Sequence, residues 1–301
     1  MGGSAMTTPR PFIVKHPASV YFALTFAISW GGSLLAIGGI QPLTGTAPTN
    51  DPRFVYALIA MLLGPSVSGL LLTALVHGRD GLRDLLARVV KWRVESRWYT
   101  VALLAAPLLW GVVLVGLSLL SPRFQSGIVT SADRSSLVIV GLAVALAAGI
   151  FEEIGWTGFV IPQLLRRYSV LVTGLIMGTA WNAWHLLTNV LWAAPATTGE
   201  LTLGVFLAWN ILGIPVGYLA AFRVLMVWVY DRTRSVFIAM LMHVSVTASV
   251  LILDPTALSG AAALTYIYSV AAVVWAAVAV VAITHGWHRA HQPANRGTLA
   301  A

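Results

Sequence analysis

The chain is a succession of long apolar runs separated by short polar stretches. A helix needs about 20 mostly apolar residues to cross roughly 30 Å of hydrocarbon. Eight runs reach that length: residues 20–40, 54–76, 99–120, 137–161, 170–192, 203–229, 236–253 and 264–284. The pattern predicts an all-α fold, a polytopic membrane helix bundle of about eight transmembrane helices. It divides the chain into a cytoplasmic N-terminal segment 1–19, a single transmembrane helical domain 20–284 and a cytoplasmic tail 285–301. No small-residue cleavage site follows a short apolar core near the start, so the first run reads as a retained span. Between the second and third runs, residues 81–98 alternate Leu85, Leu86, Val89 and Val90 with arginines, the pattern of an amphipathic helix lying in the interface. The pairs Gly174/Gly178 and Gly213/Gly217 predict close helix approaches. Pro215 predicts a kink in the sixth run.

Composition narrows the class. The 301 residues are 58% apolar and 9% charged, against about 45–50% and 25% for a soluble domain. That excludes a soluble globule, and it excludes disorder, which requires low hydrophobicity. With no cysteine, disulfides, thiolate zinc sites, iron–sulfur clusters and cysteine nucleophiles are all excluded.

Charge then sets an orientation. With the N-terminus inside, the inner segments hold 14 of the 18 basic residues, including Arg79, Arg83, Arg88, Lys91, Arg93, Arg97, Arg166, Arg167, Arg232 and Arg234. Lys and Arg concentrate on the cytoplasmic side, so the reading is N-in and C-in. The net charge of +8 then faces an anionic leaflet, and the implied partners are membrane lipids, not nucleic acid. Arginine outnumbers lysine 16 to 2, which hints at a bacterial host and so a multi-pass plasma-membrane protein. The tail histidines His285, His288 and His291 read as a solvated end.

Few ionisable groups fall inside the runs. Eight of the ten acidic residues, Asp254 among them, lie in loops or at run ends, and only Glu152 and Glu153 lie deep. Of the seven histidines only His185 and His243 do so. Arg223 is assigned to the inner end of the sixth span. An ionisable group in the bilayer is a functional candidate by default, and four of them on three spans predict one shared cavity. A hydrogen-bonded knot joining those helices is the structural alternative. Glu152 shares a helical stripe with Gly155, Trp156 and Phe159, and Glu153 with Gly149 and Thr157. Asn182, His185 and Asn189 form a second stripe, and His243 and Thr247 a third.

A buried carboxylate beside a histidine can hold and deprotonate water. A second histidine with a hydroxyl can stabilise an oxyanion. Glu152, His185 and His243 are equally a credible zinc set with an open fourth position. Ligand types alone leave metal-free and zinc mechanisms nearly even.

The blocks FEEIGWTGFVIP at 151–162, WNAWH at 181–185 and HVSVT at 243–247 resemble the CAAX-prenyl-protease and bacteriocin-processing-enzyme (CPBP, formerly Abi) family of intramembrane endopeptidases. Its members carry a double glutamate with arginine four residues on, an aromatic four before a histidine, and a later histidine followed four on by asparagine. The resemblance implies hydrolysis of a peptide bond in a membrane-associated peptide or protein. It makes Glu152 the base that activates water with His185, Glu153 its support, and His243 with Thr247 the oxyanion side. It favours a mechanism without a cofactor, zinc being the alternative.

Two positions depart from the pattern. Thr157 stands where arginine is usual, removing a cation that would pair with the carboxylates, and Thr247 replaces asparagine. Other readings are a non-enzymatic immunity or scaffold protein, and a proton-coupled transporter using the same four groups as a relay. Paired inverted repeats, frequent in transporters, are not evident in the sequence.

Overall fold

The computed structural model describes residues 9–39, 51–191, 198–256 and 258–285. Residues 1–8 of the N-terminal segment and the tail histidines His288 and His291 lie outside the described residues, as does the side chain of Asn189. All regular structure among the described residues is helical, and eight helices are long and apolar enough to cross a membrane.

These are α1 (Pro17–Ile37), α2 (Phe54–Val89), α3 (Ser96–Leu120) and α4 (Arg134–Gly155), which continues through a π-helical turn, Trp156–Val160, to Leu165. Then come α5 (Val170–His185), continued by a second π-helical stretch, Leu186–Leu191, and a span broken into α6 (Leu203–Gly213) and α7 (Tyr218–Thr233). The last two are α8 (Val236–Leu253) and α9 (Gly260–His285).

Every expected run is matched by a helix. The break after Gly213 falls around Pro215, as its fixed φ and missing N–H require. Gly213 and Gly217 therefore do not form one helical stripe, and the Gly217 N–H bonds the Gly213 carbonyl across the break at 2.6 Å.

The amphipathic segment differs from expectation. The α2 helix turns at Gly78, whose φ of 64° and ψ of −153° are non-helical, and runs on only to Val89. Trp98 already belongs to α3. The left-handed φ at Gly78 costs glycine little and other residues more, so one glycine turns the span into its surface extension.

In lipid the helices pack by fit and by hydrogen bonds, because lipid tails are as apolar as the interfaces. α1 lies along α2, α4 between α2 and α8, and α3 against α8. The central helix is α7, buried along almost its whole length and packed on α5, α8 and α9. Outward apolar residues such as Leu108, Val112 and Leu119 are left exposed, as a lipid-facing surface should be.

Three prolines sit inside helical spans, and each lacks the N–H that would satisfy the carbonyl four residues back. Pro65 gives nothing to Met61, and the Ser29 hydroxyl of α1 donates to that carbonyl at 2.8 Å. Pro107 gives nothing to Leu103, and Ser245 of α8 donates at 2.8 Å. Pro162 gives nothing to Gly158, and Arg88 of α2 donates at 2.9 Å. A neighbouring helix thus supplies each missing donor, as a medium without water demands.

Candidate active site

Two glycines let α4 deliver its glutamates. A Cβ on Gly149 would stand 2.6 Å from Val244 Cγ2 of α8, and one on Gly69 of α2 would stand 2.7 Å from Gly155 Cα. The close approaches press the Glu152–Glu153 turn between α2 and α8. Glu152, Glu153 and His243 retain 2%, 0% and 1% exposure, so each needs partners inside the protein.

Glu153 finds four hydrogen bonds. Its Oε1 accepts from Nδ1 of His243 at 2.7 Å and from Nη1 of Arg223 at 2.8 Å. Its Oε2 accepts from the same Nη1 at 3.0 Å and from the Thr157 hydroxyl. Such a set of donors matches a carboxylate anion and would leave a protonated acid with a conflict.

Glu152 is held differently. Its Oε2 accepts from the indole N–H of Trp181 at 2.8 Å and of Trp156 at 3.3 Å, with His243 Nε2 3.8 Å away. Its Oε1 accepts no hydrogen bond among the described residues. The two ring nitrogens of His243 therefore look toward the two glutamates, Nδ1 to Glu153 and Nε2 to Glu152.

His185 joins the cluster through Trp181. A backbone carbonyl can only accept, so the 2.9 Å contact from His185 Nδ1 to the Trp181 carbonyl places the ring proton on Nδ1. Nε2 is left with a free lone pair. The ring lies between Trp181 and Trp184, with centroids 5.4 and 4.7 Å away. It also borders a cavity of about 100 Å3 shared with Asn182, Asn210, Tyr218 and Tyr268.

Glu152, Glu153 and His243 are thus brought together, while His185 joins them only through Trp181 and borders a cavity that the other three do not line. Thr247 stands one turn beyond His243 and is half-buried. Among the described residues it bonds to neither glutamate and neither histidine. For the zinc alternative, no group of three His, Asp or Glu side chains among the described residues has metal-holding geometry. Both indole N–H groups point at the Glu152 oxygen nearest His243.

Arg223 corrects the sequence reading most. Assigned to the inner end of its span, it is instead fully buried and paired with Glu153. Its position was the signal: it lies six residues inside the run 203–229, where the rule applied to the glutamates holds equally. The ease with which long side chains reach the interface from such depths made the end assignment natural. Asp254 does stand at the end of α8, as expected. From there it accepts from Trp110 Nε1 at 2.8 Å and the Tyr266 hydroxyl at 2.7 Å.

At one end of the bundle, Arg88, Lys91, Arg166 and Arg234 surround a cavity of about 690 Å3 floored by Gly158 and Phe159 of the π-helical turn. Gly158 follows Thr157 in the chain, but neither glutamate and neither histidine of the cluster lines this cavity.

A family model described as type II CAAX prenyl endopeptidase Rce1-like matches residues 134–249. A curated relative, CAAX prenyl protease 2 of Methanococcus maripaludis, is 24% identical over 184 residues, 57% of this chain. The match covers 62% of that relative's own length. Both comparisons point the same way as the resemblance read from the motifs, and the span matched by the family model runs from the start of α4 into α8, through all four candidate residues.

Proposed function

We propose that this chain, similar to CAAX prenyl endopeptidases through its glutamate- and histidine-bearing helices, is an intramembrane endopeptidase acting on a membrane-associated protein or peptide. The observation that carries this reading is Trp181, which donates its indole N–H to the carboxylate of Glu152 and accepts at its carbonyl from His185, a histidine whose Nε2 lone pair is free. Beside them stands a second histidine oriented by a fully held carboxylate. One group can take a proton, and another is held to donate one.

In this mechanism Glu152 Oε1, with His185, removes a proton from water as its oxygen bonds to the scissile carbonyl carbon. The carbonyl oxygen becomes an oxyanion. Nε2 of His243 donates to it in the imidazolium form, with Glu153 fixing the ring through Nδ1. The proton held by Glu152 passes to the departing amine nitrogen as the C–N bond breaks. The charged cavity would face the cytoplasm under the positive-inside rule.

The test is cleavage of membrane-anchored peptides by the purified full-length protein in liposomes, with products identified by mass. Glu152→Gln should lower kcat roughly 10^2–10^4-fold, the usual contribution of a general base. A strong chelator should leave the wild-type rate unchanged. Loss of activity with the chelator, restored by zinc, would replace the metal-free mechanism. Cleavage at the wild-type rate by Glu152→Gln would remove Glu152 from the chemistry.

A further inference from the structure

Arg223 touches more of the cluster than any helix neighbour of the glutamates. One nitrogen, Nη1, serves both oxygens of Glu153. The guanidinium carbon lies 4.0 Å from the ring centroid of Trp181, close enough for a desolvated cation–π contact. Trp181 in turn donates to Glu152 and accepts from His185. Glu153 accepts a hydrogen bond from Nδ1 of His243. Through two direct contacts, this one side chain therefore bears on both glutamates and both histidines.

The backbone is built to put it there. On α5, Gly174, Gly178, Trp181 and His185 share one stripe. A Cβ on Gly178 would stand 2.5 Å from Ala220 Cα, and one on Gly174 would stand 2.6 Å from Val224 Cα. α7 thus meets α5 backbone to backbone on either side of Arg223, and the side chain passes over Trp181 to Glu153. Nε and Nη2 have no hydrogen-bond partner among the described residues. A guanidinium left so incompletely bonded in a dry interior is costly, so its place is not explained by hydrogen-bond satisfaction alone.

We infer that Arg223 is the positioning residue of this site: it supplies from α7 the cation that Thr157 does not supply from α4, and so holds Glu153 and Trp181 in the arrangement on which Glu152, His185 and His243 depend. For its kinetic arm the inference rests on the peptidase reading. Its geometric arm does not.

The experiment moves the cation. Purified full-length wild type, Arg223→Ala, Thr157→Arg and the double variant Arg223→Ala/Thr157→Arg are compared by melting temperature in detergent and by cleavage kinetics well below melting. A Thr157→Arg guanidinium, one turn from Glu153 on the same helix, can enter the space that Arg223→Ala vacates. Arg223→Ala should lower kcat about 100-fold, the scale set by small misplacements of reacting groups, with KM within about twofold of wild type. The double variant should recover at least about 10-fold of kcat and melt above Arg223→Ala, whereas Thr157→Arg alone should melt below wild type. Arg223→Lys keeps the charge but not the planar stack; it should recover melting more than kcat.

An unchanged kcat in Arg223→Ala, or a double variant no better than Arg223→Ala in both readouts, overturns the inference. If wild type cleaves no substrate offered, the peptidase reading fails and the melting cycle alone decides. Recovery in the double variant then supports the transferred cation, and its absence refutes it.

Discussion

Glu153 and Asp254 are both carboxylates drawn in from water, and they are treated in opposite ways. Glu153, in mid-helix, receives an arginine, a histidine and a hydroxyl. Asp254, at the end of α8, receives only the neutral donors of Trp110 and Tyr266. Without a cation its hydrogen bonds do not offset burial, which pushes its carboxyl up to about 7. Among the described residues no Lys or Arg other than Arg223 is buried. The chain therefore commits its buried cation to the glutamate that orients His243, and lets the other carboxyl titrate. A fixed charge gives fixed geometry, while neutral donors give a group that responds to pH.

Several changes would break or sharpen that contrast. The largest effect is expected from Glu153→Ala, which leaves Arg223 uncompensated in the interior. Removing one partner of a buried pair costs about 3–5 kcal/mol, and cleavage should vanish with it; melting in detergent and product analysis measure both. Glu153→Ala/Arg223→Met should recover most of the stability and none of the activity.

Gly178→Val comes next. It forces α5 from α7 where no Cβ fits, and overpacking of this kind costs about 1–3 kcal/mol. Activity should fall further than stability, because Trp181 moves with the helix.

Asp254→Asn should act on the pH profile. With a carboxyl raised from 3.8 to about 7, the folded chain keeps a proton that the unfolded chain releases across that interval. Stability from this group is complete below about pH 4 and is lost as pH rises through about 7. Melting temperatures from pH 4.5 to 8 should lose that part of their slope in Asp254→Asn, with cleavage little changed. The smallest effect belongs to Ser245→Ala, which uncovers the Leu103 carbonyl. Hydrogen bonds between membrane helices average about 0.6 kcal/mol, a shift readable by double-mutant cycle with Pro107→Ala.

The fold was largely legible because a bilayer imposes one length and one polarity on every span. Runs 54–76 and 264–284 thus found their helices without any knowledge of packing. What escaped was local backbone chemistry: the turn at Gly78 and the π-helical turns after Glu153 and His185. None of these alters hydropathy. At the site, Glu152, Glu153, His185 and His243 stood out by isolation, and their stripes anticipated the partners, Gly149 and Glu153 both facing α8. Arg223 escaped because a long side chain six residues inside a run can reach the interface, and hydropathy does not show that the span is broken at 214–217. That break makes α7 a separate helix with Arg223 near its middle. Trp156 and Trp181 were visible as motif aromatics, but nothing in a sequence shows that two indole N–H groups meet on one carboxylate oxygen.

The borrowed donors at the three prolines carry a consequence for the order in which the protein is assembled. Ser29 is synthesised 32 residues before Met61, and Arg88 is synthesised 70 residues before Gly158. In both cases the donor already exists when the vacant carbonyl emerges. Ser245 follows Leu103 by 142 residues. During biosynthesis α3 must therefore wait, with an open carbonyl near Pro107, until α8 arrives to close it. A nascent chain arrested before residue 236 should hold α1 and α2 already paired while α3 still draws water to its proline, so that α8 both adds His243 and completes a helix made long before it.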